Sequence, residues 1–201
     1  MAQQIDKLLI QRTNELQNCN NGSQTSLRQN SEALKLLKLY NPSMQVKYTK
    51  DETRCIMGKA PTLLDVSRTY GQNVPIVWLT IQLSDLNEEK ETKDEYKKGR
   101  KELEDIANRI YAKYKFLKLP EFMIVFQNLK DTNFYGRITR HVIIDAIKQY
   151  LQHRSTLIEA YDNEQRQKQY KEQAKNAMTY EEWQEIKMLT RMYEMQVNTK
   201  I

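Results

Sequence analysis

TRHVIIDAIKQYLQHRSTLIEAYDNEQRQKQYKEQAK, residues 139–175, is the stretch whose reading decides the fold. Ile143, Ile147, Tyr150, Arg154, Leu157 and Tyr161 follow one another at spacings of 4, 3, 4, 3 and 4. That spacing lines one face of an α-helix and no face of a strand. Val142, Ala146, Leu151 and Ile158 widen the stripe, and Thr139 is placed to cap the first turn. A helix of this length would span about 55 Å. Its last part, residues 162–176, is nearly all polar, so it is expected to protrude from the body of the protein. One apolar seam position is occupied by Arg154, where a guanidinium needs its donors satisfied. Glu121 is its expected partner and Asp85 the alternative.

Helices are read on both sides of this segment. Pro120 and Glu121 suit a first helical turn, and the apolar block Phe122–Phe126 after them must be buried on most sides as helix or strand. Residues 73–86 fit two templates. Val77, Leu79, Ile81 and Leu83 alternate like a strand, while Ile76, Leu79, Leu83 and Leu86 recur at helical spacing. Only 5 Gly and 4 Pro occur in 201 residues, which favours helix. Lys93 to Tyr114 reads as a helix with Gly99 on its seam. Thr62 and Asp65 open one helix, Gly71 closes it, and Thr179 with Glu182 forms a capping box before a last helix faced by Trp183, Ile186, Leu189 and Tyr193. Toward the N-terminus, residues 14–30 are rich in Asn, Gln and Ser and read as a flexible linker, and Ser31 as the cap of a short helix. The expectation is an all-α protein, an irregular helical bundle. Residues 1–60 would be an N-terminal tail with short helices and a linker, and residues 61–201 a helical domain.

Composition narrows the function classes. Apolar residues make up 39% of the chain and charged residues 29%, enough for a core. No run of about 18 apolar residues suggests a membrane span, and no secretory pattern opens the sequence. Cys19 and Cys55 stand outside any C-x-x-C motif and read as reduced thiols, so a cytoplasmic location is expected. His141 and Asp145 lie one helical turn apart without a third ligand, and His153 falls on another side of the helix. No nucleophile motif, dinucleotide fingerprint or P-loop is present. No catalytic residue, cofactor or metal is therefore expected.

Charge is distributed unevenly. Residues 109–154 carry nine Lys/Arg against three Asp/Glu, an excess equal to the net +6 of the whole chain. Within that span Asn133-Phe134-Tyr135-Gly136-Arg137 interleaves aromatic and basic residues ahead of the long helix. Lys130, Tyr135, Arg137 and Arg140 form a candidate nucleic-acid patch, because aromatic faces stack on bases and cations neutralise phosphates. The competing reading is a turn in which Phe134 and Tyr135 pack inward and Gly136 supplies a positive φ.

Pro61-Thr62-Leu63, Asp65-Val66, Tyr70-Gly71, Trp78-Leu79, Gln82-Leu83, Tyr114-x-Phe116-Leu117-Lys118, Glu121-x-Met123, Phe126, Tyr135-Gly136 and Arg154 occur in that order. Across roughly residues 61–161 this pattern resembles an uncharacterised family of small proteins carried by prophages and mobile elements of Bacteroides-type bacteria. The resemblance implies a genomic setting rich in replication accessory proteins, and it supplies no catalytic residue. The expected role is a non-enzymatic accessory protein of mobile-element DNA metabolism that binds nucleic acid or a replication protein. The alternative is a helical interaction module or homo-oligomer without nucleic-acid contact.

Overall fold

A computed structural model describes residues 24–91, 97–132 and 138–198. Among the described residues the fold is all-α, with no strand and a single isolated bridge pairing Thr62 with Lys118. The helices are α1 (Gln24–Leu39), α2 (Gln45–Tyr48), α3 (Glu52–Met57), α4 (Leu63–Tyr70), α5 (Asn73–Lys90), α6 (Arg100–Tyr114), α7 (Leu119–Asp131), α8 (Arg140–Asn176) and α9 (Tyr180–Asn198). A 3-10 turn, Pro42–Met44, leads into α2. The chain divides into two compact units, residues 1–158 and 159–201.

The first unit is organised around α7. Every residue from Leu119 to Phe126 is buried, so this helix is covered on all sides. Trp78 meets the Phe122 ring edge-on at 6.2 Å, and Phe122 stacks on Phe126 at 6.4 Å. Such aromatic pairs add to the apolar area they bury. Helix α5 is buried almost as completely, from Val74 through Asn87. That explains the double reading of residues 73–86: a helix covered all round shows no single apolar stripe. The structure resolves both ambiguous stretches as helix.

Residues 31–57 belong to this core. Ala33, Leu37, Tyr40, Cys55 and Ile56 are buried. Trp78 Nε1 and Gln82 Nε2 both donate to the Tyr40 carbonyl at 2.8 Å, and Gln45 Nε2 donates to Gln82 Oε1 at 2.7 Å. These bonds satisfy the carbonyl that ends α1 and tie it to α5. The division expected at residue 60 is therefore absent from the packing. Helix α1 begins at Gln24 and runs through Ser31, which is not a cap. Serine is only mildly unfavourable inside a helix, and the buried Ala33–Leu37 face stabilises the longer element. The remainder of the expected linker and Cys19 lie outside the described residues.

Two terminations decide the path between helices. Gly71 has φ 103° and ψ 154°, a backbone state that only glycine adopts easily, and its N–H donates to Ser67 O. Helix α6 begins at Arg100, later than the sequence suggests, with Gly99 extended at its N-cap. Asn87 Oδ1 accepts the Lys98 N–H at 3.1 Å and holds that approach extended. A Cβ at Gly99 would meet nothing within 4 Å, so close helix packing is not its role.

In the second unit, every described residue from Arg166 to Met195 is exposed. The polar stretch 162–176 is fully helical within α8. Thr179 and Glu182 form the reciprocal capping box of α9, with bonds of 2.8 and 3.2 Å.

Candidate functional site

Glu121 is the most connected buried polar residue described. It sits in the first turn of α7 and is fully buried. Its Oε2 accepts the Lys118 N–H at 2.8 Å and caps the helix. Its Oε1 accepts Arg154 Nε at 2.5 Å and the Tyr150 hydroxyl at 3.3 Å. The structure thus joins Arg154 to Glu121. Asp85 instead accepts from Lys130. Burial, then the Glu121 charge, pushes the Tyr150 phenol well above the ordinary tyrosine range. Arg154 reaches Glu121 from α8 with its side chain 26% exposed. These residues form a structural node that locks α8 onto α7.

The candidate nucleic-acid patch is divided by the structure. The Lys130 side chain is 9% exposed and its ammonium is shared by Asp85 and by Glu89, the latter at 2.9 Å. Burial disfavours its charge, but the two carboxylates outweigh burial and raise its pKa. That pairing competes with any phosphate for the ammonium. Arg140 is exposed at the start of α8. Tyr135, Gly136 and Arg137 lie outside the described residues. Just beyond them, Ile138 N–H donates to the buried Glu91 carboxylate at 2.9 Å, a contact the sequence did not suggest.

Nor do His141, Asp145 and His153 converge. Asp145 pairs with Lys148 at 2.8 Å, which holds its carboxyl below the usual range, and His153 Nε2 lies 2.8 Å from Glu52. Among the described residues no group of three or more His, Cys, Asp or Glu could hold a metal ion. Also among them, no helix is long and apolar enough to cross a membrane.

Two features escaped the sequence reading. The first is a cleft of about 560 Å³ lined by Tyr40, Tyr48, Lys47, Arg54, Cys55 and Lys59. Tyr40 and Tyr48 stack at 5.6 Å with an interplanar angle of 22°. Burial, followed by the nearby Asp51 charge, pushes the Cys55 thiol up to about 11, so it stays protonated near neutrality. A Cβ on Gly58 would fall 2.5 Å from the Arg54 carbonyl oxygen, so glycine is needed for this corner of the cleft. The cleft is assembled from residues scattered over 40–61, which no local motif joins.

The second feature is the surface of α9. Trp183, Ile186, Leu189 and Tyr193 are 46%, 49%, 65% and 70% exposed. Met188 and Met192 are also exposed. Tyr180 stacks on Trp183 at 5.9 Å and Lys187 lies 4.6 Å over the same indole, so the exposed ring is held in place by its own helix. The apolar face was legible in the sequence; that it remains uncovered was not. No protein-family model, curated protein or solved structure matches the chain, so the resemblance to mobile-element proteins rests on its sequence motifs alone.

Proposed function

We propose that this chain is a non-enzymatic helical interaction module that docks onto a partner protein through α9. The observation that carries the reading is the exposure of Trp183, Ile186, Leu189 and Tyr193 on one helical face. Exposed apolar surface of this kind marks interaction sites more often than it decorates a monomer. Spacings of three and four residues suit an amphipathic helix laid into an apolar groove, with aromatic anchors dominating the energy. In the mobile-element setting that the sequence motifs imply, the partner is a replication protein. Direct nucleic-acid contact through residues 130–140 has weaker support, because Lys130 is already paired and Arg140 is the one candidate residue left among those described.

The test pairs the full chain with purified replication proteins of its host. The double variant Trp183→Glu with Leu189→Glu should lose at least ten-fold in affinity for the protein bound by the wild type, with an unchanged circular dichroism spectrum. Equal affinity would overturn the reading. Light scattering of the chain alone supplies the control. A dimer abolished by the same double variant would assign the face to a second copy and replace the proposed partner.

A further inference from the structure

The cleft at Tyr40 and Tyr48 is lined by other residues than those considered so far for binding, and its chemistry points elsewhere. Three cations line it, Lys47, Arg54 and Lys59, against the single carboxylate Asp51. Asp51 is already engaged, because its Oδ1 caps α3 by accepting the Arg54 backbone N–H at 2.9 Å. The three cationic side chains are exposed and form no ion pair among the described residues. The C-terminal carbonyls of α3 would ordinarily oppose an anion here. Lys118 offsets part of that opposition. Its ammonium donates to the Ile56 carbonyl and, at 2.7 Å, to that of Gly58. The cleft therefore presents net positive charge beside an aromatic wall. Tyr40 is buried beneath Tyr48, and Tyr48 is only partly covered. A volume near 560 Å³ lies within the range of small-molecule sites.

We infer that this cleft binds a phosphorylated aromatic ring, that is, a nucleotide, either free or as one unit of a single strand. The ring lies against Tyr48, where base–aromatic stacking is tolerant of base identity. Lys47, Arg54 and Lys59 neutralise the phosphate, Arg54 as a planar fork and the lysines as point charges. The inference does not depend on the role proposed for α9.

The experiment titrates the full chain at low salt with three probes: ATP, inorganic phosphate and a ten-nucleotide single-stranded DNA. ATP or the oligonucleotide should bind, and inorganic phosphate at least ten-fold more weakly than either. ATP binding alone identifies a free nucleotide as the source. Tighter oligonucleotide binding, with a log–log salt slope near −2 for about three phosphates, identifies a strand. The triple reversal Lys47→Glu, Arg54→Glu, Lys59→Glu should weaken binding more than thirty-fold with an unaltered melting temperature. Tyr48→Ala should weaken it several-fold, and more for ATP than for phosphate. Arg137→Glu with Arg140→Glu should leave it within two-fold. The inference is overturned if neither nucleotide probe binds, if phosphate binds as well as ATP, or if the triple reversal leaves affinity unchanged.

Discussion

The stripe Ile143, Ile147, Tyr150 and the stripe Trp183, Ile186, Leu189, Tyr193 follow one helical pattern and meet opposite surroundings. The first is 0–4% exposed and the second 46–70%. What separates them is the complement. The α8 stripe joins the core cluster that contains the Phe122–Phe126 block of α7, and its Arg154 finds Glu121. The α9 stripe meets only neighbours on its own helix, Tyr180 and Lys187 against Trp183, among the ring contacts described. Periodicity thus reveals which face of a helix is apolar; a complementary surface determines whether that face is buried within the chain.

The sharpest test of the contrast compares truncations on the two sides. Phe122→Ala should cost about 3–5 kcal/mol in urea unfolding, because it deletes a fully buried ring and leaves a cavity. A loss below about 1 kcal/mol would mean that the α7 block is loosely packed. Next in size is Arg154→Met. It leaves the fully buried Glu121 without its cation, and the partial exposure of Arg154 moderates the cost to roughly 2–3 kcal/mol. A change under about 0.5 kcal/mol would make the pair incidental.

Alkaline pH probes the same node. The folded Tyr150 phenol ionises well above its unfolded value of about 10. Its contribution is complete below pH 10, and above it the unfolded chain releases the proton first. Stability should then fall by up to about 1.4 kcal/mol per pH unit from this group. Tyr150→Phe should flatten that decline between pH 10 and 11 in a melting series. An identical slope in the variant would assign the decline to other groups. The smallest effect is expected on the exposed stripe. Trp183→Ala and Leu189→Ala should each change the stability of the isolated chain by less than about 0.5 kcal/mol, measured at low micromolar concentration. A larger loss would show that this stripe is covered after all.

Much of the fold was legible because its signals are local. Thr62 with Asp65, Thr179 with Glu182, Pro120 in a first turn and Gly71 at a helix end each declare themselves within four residues. The Arg154–Glu121 pair was legible for a different reason: a charged residue on an apolar seam demands a partner, and few buried carboxylates were on offer. The entry into α6 was misread because the Asn87 side chain, 11 residues before Lys98, accepts the Lys98 N–H. The position of residues 31–57 in the core was missed because its contacts are distant in sequence: Trp78 and Gln82 donate to the Tyr40 carbonyl, Gln82 accepts from Gln45, and Ala33, Leu37 and Cys55 join the core cluster. The pairing of Lys130 was missed for a similar reason. Charge counting along the chain registers a cation without showing that two acidic residues of α5 already hold it. The cleft around Tyr48 depends wholly on tertiary assembly.

The bridge between Thr62 and Lys118 has a consequence for synthesis. Leu63 N–H donates to Leu117 O at 3.1 Å, and Leu64 N–H donates to Lys115 O at 2.9 Å. The opening turn of α4 therefore lends its donors to acceptors that the ribosome makes about fifty residues later. At 5–20 residues per second, those amides wait on the order of several seconds for their partners. During that interval α1 to α5 exist as a nascent set without α7, with the Trp78 face still open. The first unit can close only after Phe126 has left the exit tunnel. Until then the emerging chain presents to its surroundings the surface that the finished protein hides.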